Sequence, residues 1–323
     1  MILLICRVNY LLHDQLQARD FLEFFMTLHK EFLKEHINKA GILIEALPYI
    51  QDFRGKCILV KVGGSAMEDV ELLDALLRDV VLLEAVGINP VVVHGGGKAI
   101  SNAMANSGIE PRFVSGQRYT DPDTMRIVEE TLVNEVNPNL VSLVHSHGGR
   151  AKGIHGAEVF ISKKMKANCE GSEDADLGLV GEVVKCQTEE IKNLTDQEII
   201  PILSPVSIEE NSDAVLNTNA DIAASSLAAA MHVDKLVYIS DVLGVLRDPE
   251  DDATLINTIK CSEVKGLSEE GIITGGMLPK LNSAIHAIES GVGKVHMIDG
   301  RIPHSLLLEI FTKTGIGTEI VPS

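Results

Sequence analysis

Short apolar runs alternate with longer amphipathic segments along most of the chain. The runs are five or six residues long and rich in Val, Ile and Leu, as expected for strands buried on both faces. Helical apolar spacing between such strands is typical of a mainly parallel sheet covered by helices. The predicted strands are CILVKV, PVVVH, IIPILS, KLVYIS and KVHMI, and the predicted helices are residues 68–86, residues 98–107, a helix capped by Asp121, ADIAASSLAAAM, KLNSAIHAIES and PHSLLLEIF. Residues 159–185 are less regular and are predicted to form a hairpin region with an exposed acidic loop.

A separate helical stripe precedes the first predicted strand. Its apolar residues recur at helical spacing, and they include half of the eight phenylalanines. Such a face packs either against its own domain or against another subunit, and the periodicity leaves both alternatives open. The stripe consists of Phe21, Phe24, Phe25, Leu28 and Phe32.

The composition is that of an ordinary globular protein. The chain has 323 residues, of which 45% are hydrophobic and 23% charged, and this length accommodates two lobes. A net charge of −18 repels nucleic acid and anionic membranes, so neither is an expected partner. The first apolar run is far shorter than the roughly 20 residues of a membrane span, and it lacks the basic region of a signal peptide.

Cysteine and histidine usage gives no sign of a metal site. The five cysteines are scattered without a C-x-x-C pair, which favours a reduced, cytoplasmic protein without structural zinc. His145, His147 and His155 lie in and after a predicted helix end and are not expected to bind metal.

The stretch VVVHGGGKAIS places three consecutive glycines between a predicted strand and a predicted helix. It is not a P-loop, because Val92 and Ala99 occupy the positions of the required Gly and Ser or Thr. It also departs from the dinucleotide-binding fingerprint, since Ile100 replaces the third glycine. Bare backbone N–H groups beside a helix N-terminus nevertheless suit an anion. A tight turn without a ligand is the alternative that this corner alone leaves open.

Another glycine corner, KVGGSAM, follows the preceding predicted strand. In chain order KVGGSAM is the first corner and the triple-glycine stretch is the second corner. Lys61 ends that apolar strand, so its ammonium group requires either water or a negative charge. A lysine that extends to solvent at the sheet edge fits the same pattern. If the two strands are neighbours, the first corner, at Gly63 and Gly64, lies beside the second corner, and the two form a double cradle for anions.

Two later segments, LNTNADIAASS and ITGGMLPKLNS, contain further candidate polar groups. Asn217, Asn219 and Asp221 directly precede an alanine-rich helix, and helix capping explains one or two of them. Lys280 lies in the first turn of another predicted helix, where the helix dipole opposes a cation. A strong anion bound beside Lys280 would account for its position.

Six motifs resemble, in order, those of the amino acid kinase family: KVGGSAM, VVVHGGGKAIS, GQRYTD, LNTNADIAASSLA, YISDVLGVL and GIITGGMLPK. They are most similar to the branch that phosphorylates N-acetyl-L-glutamate with MgATP, in the second step of arginine biosynthesis. The resemblance runs from Ile42 to the C-terminus and implies an α/β fold, an open and mainly parallel αβα sandwich with an added N-terminal helix. It divides the chain into an oligomerisation segment (1–54), an acyl-substrate lobe (55–232) and a nucleotide-binding and effector lobe (233–323).

The resemblance also assigns roles to residues. Lys61 and Lys280 would stabilise the transferring phosphoryl group, and Asp221 would orient both lysines. Mg²⁺ would be carried mainly by ATP phosphate oxygens and water, so no side chain is expected to be a metal ligand. The implied acyl-substrate residues are Gly96, Gly97, Arg118 and Asn217, and the implied nucleotide-binding residues are Gly63, Gly64, Ser240, Asp241 and Gly276.

Arginine-sensitive members of this branch resemble the chain in their N-terminal helix and C-terminal tail. In such members the helix interlaces dimers into a hexamer, a trimer of dimers. The resemblance therefore implies a homo-oligomer inhibited by L-arginine at His296, Glu309 and Gly315. Glu309 is a suitable partner for a guanidinium group. A PII-type signalling protein is a further partner that the resemblance allows.

Three alternatives compete with this interpretation. Sibling kinases act on glutamate, aspartate, carbamate or UMP, and Arg118 with the NTNAD motif argues against them. A catalytically silent arginine sensor would keep the fold and the tail, but the joint presence of Lys61, Lys280 and Asp221 argues against it. A Rossmann oxidoreductase would require the missing third glycine.

Overall fold

The computed structural model describes residues 15–114, 116–167, 175–273 and 275–323. The chain divides into two compact units, with the boundary between Asp52 and Phe53. Most of the acidic loop predicted within residues 159–185 lies outside the described residues.

The described part of the first unit is one long helix, α1 (Gln15–Phe53), as the apolar stripe predicted. The side chains of Phe21, Phe25 and Leu28 lie outside the described set, whereas Phe24 and Phe32 are 61% and 55% exposed. The helix therefore presents a large apolar surface. Other exposed apolar side chains on it are Met26, Leu33, Ile37, Ile42, Leu43, Ile44 and Leu47.

The second unit contains a mainly parallel sheet, as predicted. In chain order the strands of the described residues are β1 (Cys57–Val62), β2 (Asn89–His94), β3 (Phe113–Val114), β4 (Gln117–Arg118), β5 (Ala151–Ile154), β6 (Phe160–Ala167), β7 (Ala175–Cys186), β8 (Ile200–Leu203), β9 (Val206–Glu209), β10 (Val215–Thr218), β11 (Lys235–Ser240), β12 (Thr258–Lys260), β13 (Lys294–Asp299) and β14 (Thr318–Val321). Eight strands form this sheet in the order β12-β14-β13-β11-β1-β2-β8-β5, and every neighbouring pair is parallel except β13 with β14. The predicted lobes contribute four strands each to this sheet, and the boundary between them stays a prediction.

Helices cover the sheet, and local capping sets where several of them begin. Asp69, Asp121 and Asn219 each accept backbone N–H bonds at a helix start, and Pro122 occupies the first position after Asp121. The helix predicted from residue 68 begins two residues later because Asp69 is its cap. The helices of the second unit are α2 (Val70–Ala85), α3 (Gly97–Asn106), α4 (Pro122–Glu129), α5 (Asn137–Ser146), α6 (Glu189–Asp196), α7 (Ala220–Met231), α8 (Val264–Glu269), α9 (Met277–Glu289) and α10 (Ser305–Ile310).

The alternation of side chains along β1 divides the core into two layers. Ile58, Val60 and Val62 pack with residues of α2, α5 and α10 on one face of the sheet. Leu59 packs with residues of α7 and α9 on the other face. Lys61, two residues beyond Leu59, consequently lies on the face that α7 and α9 cover.

Some local structure differs from the sequence prediction. Strands β6, β7, β9 and β10 form a closed ring; β6 and β7 are the predicted hairpin, whereas β9 and β10 lie in a polar segment that gave no strand signal. Residues Glu130–Val136, between α4 and α5, form a π-helical segment rather than a continuous α-helix. Across the described residues, no helix is both long and apolar enough to cross a membrane.

Candidate active site

Both glycine corners open at the carboxyl edge of the sheet. β1 and β2 are adjacent and parallel, with Val62 opposite His94. The Gly95 N–H donates a hydrogen bond to the Val62 carbonyl oxygen at 2.7 Å. The two corners therefore lie side by side, at the sheet edge where open α/β folds bind ligands.

The first corner closes against the end of β11. Gly64 has φ +64°, a conformation that non-glycine residues rarely adopt, and an added Cβ would overlap the Asp241 carboxylate. That carboxylate accepts hydrogen bonds from the Ser65 N–H at 2.6 Å and from the Ser65 hydroxyl at 3.1 Å. Ser240 is buried beside it at the end of the same strand. The structure thus brings Ser240 and Asp241 next to the glycine corner.

The second corner leads directly into α3. Gly96 is the residue before the helix, and an added Cβ there would overlap the end of the Leu132 side chain, which would then have to move. An added Cβ at Gly97 would meet no atom within 4 Å. The backbone of this corner is therefore supported on one side and open on the other.

Asp221 links two lysines from distant parts of the chain. Lys61 Nζ lies 2.8 Å from Asp221 Oδ1, and Lys280 Nζ lies 2.8 Å from Asp221 Oδ2. Lys61 comes from β1, Asp221 from the first turn of α7 and Lys280 from the first turn of α9. One carboxylate thus holds two ammonium groups at the end of the sheet.

The charges of this cluster support one another. Burial acts to raise the pKa of the Asp221 carboxyl, but Lys61 and Lys280 outweigh burial and hold that pKa below its usual value. Lys61 is only 8% exposed, so the ionised carboxylate compensates an ammonium group that has lost most of its water. Two positive charges against one negative charge leave the cluster attractive to a further anion.

A cavity of about 270 Å³ lies beside the cluster, and Arg118 and Asn217 are among its lining residues. The Arg118 guanidinium is buried and donates to the Gly97 carbonyl and the Ser101 hydroxyl, both at 2.9 Å. It also lies 4.9 Å from the centre of the Phe113 ring. Within the described part of the chain Arg118 pairs with no carboxylate, and burial lowers its pKa. A buried guanidinium without an acidic partner suits an anionic ligand.

Thr120 connects Arg118 and Asn217, two of the polar residues of the cavity wall. The Asn217 amide nitrogen donates to the Thr120 hydroxyl at 3.1 Å. The same hydroxyl donates to the Arg118 carbonyl oxygen at 2.9 Å. Because Thr120 is fully buried, it fixes Asn217 relative to the Arg118 backbone.

Comparison with known proteins identifies the family. The model of the amino acid kinase family matches residues 56–299. Acetylglutamate kinase of Akkermansia muciniphila is 50% identical over 285 residues, which cover 88% of this chain and 96% of that protein. Acetylglutamate kinase of Heliobacterium modesticaldum is 44% identical over 291 residues, covering 88% of this chain and 98% of that protein. The chain belongs to the acetylglutamate kinases of the amino acid kinase family.

Solved structures agree with the fold of this kinase. N-acetylglutamate synthase from Neisseria gonorrhoeae, complexed with coenzyme A and N-acetyl-glutamate, gives a TM-score of 0.75 at 26% identity over 88% of this chain. The same synthase complexed with coenzyme A and L-arginine gives 0.71 at 26% identity over 87% of this chain. This chain spans 63% and 65% of the length of those synthase chains, so only part of the synthase is similar. The predicted family and the predicted αβα fold are confirmed.

The loop before α9 is open in this kinase. Added Cβ atoms at Gly275 and Gly276 would meet nothing within 4 Å. Lys280 follows four residues after Gly276 and reaches back to Asp221. Lys280 therefore reaches the end of the sheet at which Lys61 and Asp221 lie.

The residues predicted to bind an effector also meet, in a second cluster. His296 Nδ1 lies 2.6 Å from Glu309 Oε1, and Lys235 Nζ lies 3.0 Å from His296 Nε2. Glu309 Oε2 accepts the N–H groups of Ile316 and the following residue at 2.7 and 3.1 Å. An added Cβ at Gly315 would lie 2.5 Å from the same oxygen. Gly315 therefore allows the tail to close over the carboxylate.

Hydrogen bonding keeps Glu309 ionised despite its burial. Burial acts to raise the pKa of Glu309, but the contacts with His296 and the tail backbone outweigh it and lower that pKa. Burial lowers the pKa of His296, which favours its neutral form. The cluster thus contains one buried negative charge next to Lys235.

Several supporting residues were not found from the sequence. His94 lies in the motif VVVHGGGKAIS and Thr120 in the motif GQRYTD. Their places next to predicted site residues were the available signal. Leu132 and Asn137 gave no signal, because the π-helical segment is invisible in the apolar pattern.

Two of the histidines that were not expected to bind metal each contact a different carboxylate. His147 Nε2 lies 2.7 Å from Asp74, and His155 Nε2 lies 2.9 Å from Glu129. No group of three or more acidic, His or Cys side chains that could hold a metal ion occurs among the described residues.

Proposed function

We propose that Lys61, Asp221 and Lys280 form the phosphoryl-transfer centre of this acetylglutamate kinase. The observation that carries the proposal is the Asp221 carboxylate, which holds both ammonium groups at 2.8 Å at the side of a cavity lined by the glycine corners. The substrates are ATP and N-acetyl-L-glutamate, and the product is N-acetylglutamyl 5-phosphate.

The side-chain carboxylate of N-acetylglutamate is the nucleophile. With a reference pKa of about 4 it is already ionised at neutral pH, so no general base is needed. One carboxylate oxygen bonds to the γ-phosphorus as the bond from that phosphorus to the β-phosphate bridging oxygen breaks. Because two anions must meet, alignment and charge neutralisation are the main catalytic tasks.

The two lysines neutralise charge on the transferring phosphoryl group. Lys61 approaches from the strand end and Lys280 from the helix α9, so they act from different elements. Both oxygens of Asp221 face ammonium groups, which makes Asp221 an orienting group rather than a proton acceptor. Backbone N–H groups of the glycine corners supply further donors to the phosphoryl oxygens.

The acyl substrate is held at the other residues of the cavity. Arg118 pairs with the α-carboxylate of N-acetylglutamate, which supplies the acidic partner that this guanidinium lacks in the described chain. Asn217, oriented by Thr120, hydrogen-bonds the same substrate. Gly96 and Gly97 also line this cavity, and they contact the same substrate.

ATP is held at the first glycine corner and at the loop before α9. The donor set fits a nucleotide with its own metal ion: both Asp221 oxygens face lysines, and the Asp241 carboxylate accepts from Ser65. Mg²⁺ would therefore be carried by phosphate oxygens and water, where it neutralises phosphate charge. The nucleotide-binding residues of the proposal are Gly63, Gly64, Ser240, Asp241 and Gly276.

Trapping of the acyl phosphate tests the proposed reaction. Hydroxylamine converts an acyl phosphate to a hydroxamate, so ATP-dependent hydroxamate is measured with N-acetylglutamate, glutamate and aspartate in parallel. We expect signal with the acetylated substrate alone. Equal signal with glutamate or aspartate would indicate a sibling kinase, and no signal with tight arginine binding would indicate a silent sensor.

We also propose that L-arginine inhibits this kinase at the cluster of His296, Glu309 and Gly315. The support is a buried, ionised carboxylate at the base of a tail loop, together with the likeness to a synthase solved with L-arginine. A guanidinium is the cation that best matches a carboxylate. An unchanged rate at saturating arginine in an oligomeric preparation would refute the proposal.

A homo-oligomer, a hexamer as a trimer of dimers, is proposed from the exposed apolar face of α1. Its described apolar side chains, such as Ile37 and Leu43, are 67% and 72% exposed, and surfaces of this kind mark contacts with another protein. Docking of a PII-type protein stays a prediction from the resemblance. Light scattering of the purified chain measures the oligomer directly.

A further inference from the structure

His94 is a fully buried histidine to which the mechanism above gives no role. It ends β2, directly before the three glycines of the second corner, and is 0% exposed. A buried polar group at the end of the apolar run of residues 90–93 requires specific partners.

The partners of His94 define its tautomer. Nδ1 lies 2.7 Å from the Gly95 carbonyl oxygen, and since a carbonyl oxygen only accepts, Nδ1 carries the proton. Nε2 lies 3.2 Å from the Asn137 amide nitrogen, which donates, so Nε2 is the acceptor. The same amide nitrogen donates to the Ile202 carbonyl at 2.8 Å, which fixes the orientation of Asn137.

The ring stays neutral at physiological pH. Burial lowers the pKa of His94 to about 4, against a smaller opposing contribution from the Gly95 carbonyl. In the described chain the polar contacts of the ring are the Gly95 carbonyl and the Asn137 amide, and neither is charged. His94 therefore keeps one proton at Nδ1 throughout catalysis.

This bond controls the peptide unit that enters the active site. The Gly95 carbonyl and the Gly96 N–H belong to one planar peptide, in which they point in opposite directions. A carbonyl held against the imidazole turns the Gly96 N–H away from it. Within the described residues the Gly96 N–H donates to no acceptor, and Gly96 lines the cavity beside Lys61.

The π-helical segment, Glu130–Val136, positions two side chains that contact the second glycine corner and His94. A π turn shifts the side chains that follow it relative to a regular α-helix. Leu132, inside the segment, lies against Gly96, and Asn137, directly after it, lies against His94. Both contacts converge on the same peptide from one helix.

We propose that His94 is a positioning residue: its Nδ1–H, locked by Asn137, holds the Gly95–Gly96 peptide so that the Gly96 N–H points at the transferring phosphoryl group. This rests on the proposed role of the Gly96 N–H as a donor in the active site. His94 acts through that peptide and does not touch the substrates.

A matched pair of variants separates this role from simple support of the core. In His94→Asn the side-chain amide can occupy the place of Nδ1 and donate to the Gly95 carbonyl. In His94→Gln the amide reaches the place of Nε2 and leaves the Gly95 carbonyl without its donor. Both changes remove the ring, so a purely structural role would make them equally harmful.

Steady-state kinetics and thermal unfolding of both variants are compared with the unaltered chain. Loss of one oriented donor to a developing negative charge lowers kcat by about 100-fold or more. We expect kcat to fall about 100-fold in His94→Gln and less than about tenfold in His94→Asn, with the KM for ATP in both within about threefold. Equal losses of kcat in the two variants, or losses that follow their unfolding temperatures, would overturn the proposal.

A third variant tests the tautomer and serves if His94→Gln does not fold. In Asn137→Asp a carboxylate, which only accepts hydrogen bonds, faces Nε2. The doubly protonated ring keeps its Nδ1–H. When the ring loses one proton, the remaining proton stays on Nε2, and the Gly95 carbonyl loses its donor. The ratio of its kcat to that of the unaltered chain is expected to fall as pH rises from about 6 to 9. A ratio independent of pH would contradict the assigned tautomer.

The hydroxylamine assay keeps the two proposals distinguishable. If the unaltered chain forms no trapped acyl phosphate, the proposed function is wrong. If it forms acyl phosphate and the His94 variants lose kcat equally, the function stands and the role of His94 is wrong.

Discussion

Asp221→Asn tests how far one carboxylate organises the active site. The substitution removes a negative charge from between Lys61 and Lys280 while keeping the size of the side chain. Both ammonium groups then lose an ionic partner that lies 2.8 Å away. They are expected to repel each other and to leave the positions in which they contact the phosphoryl group.

The size of the effect follows from burial. Removing one partner of a buried ion pair costs about 3–5 kcal/mol. The Asp221 side chain is 16% exposed and that of Lys61 10%, whereas Lys280 at 27% can turn towards water, so the lower part of this range applies. A loss of about 3–4 kcal/mol in the transition state, at about 1.4 kcal/mol per factor of ten, lowers kcat by about 100- to 1,000-fold.

The assay is the rate of ADP release at saturating ATP and N-acetylglutamate. Glu190→Gln is the matched control, because it makes the same chemical change in an exposed ion pair with Lys152. Exposed pairs contribute less than about 1 kcal/mol to stability, so this control is expected to keep kcat within about twofold. If Asp221→Asn folds and keeps kcat within about threefold, the reasoning about the two lysines is refuted.

Four further predictions follow from other parts of the structure. Arg118→Lys loses two-pronged carboxylate binding, so the KM for N-acetylglutamate should rise about 10- to 100-fold in steady-state kinetics while the KM for ATP stays within about twofold; equal changes in both would argue against the assigned contact. Glu309→Gln should raise the arginine concentration for half inhibition at least about tenfold, and unchanged inhibition would place the effector elsewhere. Between pH 6.5 and about 4 the unfolded chain binds one more proton than the folded chain at His94, so the free energy of unfolding should fall by about 1.4 kcal/mol per pH unit as pH decreases. Denaturant unfolding of the unaltered chain and of His94→Asn, compared across this pH range, measures the slope. A difference in unfolding free energy that is independent of pH would contradict it. Ile37→Lys combined with Ile44→Lys should lower the molar mass in light scattering, whereas an unchanged mass would exclude this helix face from the oligomer contact.

The sheet could be predicted from the sequence because each of its central strands is a continuous apolar run. Buried parallel strands leave this mark directly in the chain. Polar residues at the ends of those runs, such as Lys61, stand out from the apolar sequence and so indicated the ligand-binding edge of the sheet. The helix caps were also predictable where a single residue such as Asp121 determines the start.

The remaining structure depends on contacts between distant segments. Strands β9 and β10 are only four residues long each, and they pair with each other and with β6 and β7 in a closed ring. The meeting of Lys61 with Lys280 through Asp221 has no signature in local spacing, and the family resemblance was needed to expect it. The role of Asn137 depends on a π turn, a shift in register that apolar periodicity does not reveal.

The most direct measurement of the central claim is a structure of this kinase with ADP, Mg²⁺, aluminium fluoride and N-acetylglutamate, in which the fluoride group stands in for the transferring phosphoryl. The account predicts that the Nζ atoms of Lys61 and Lys280 both lie within hydrogen-bonding distance of it, about 3 Å, while each stays paired with Asp221. A complex in which either ammonium group makes no contact with the phosphoryl mimic would contradict it.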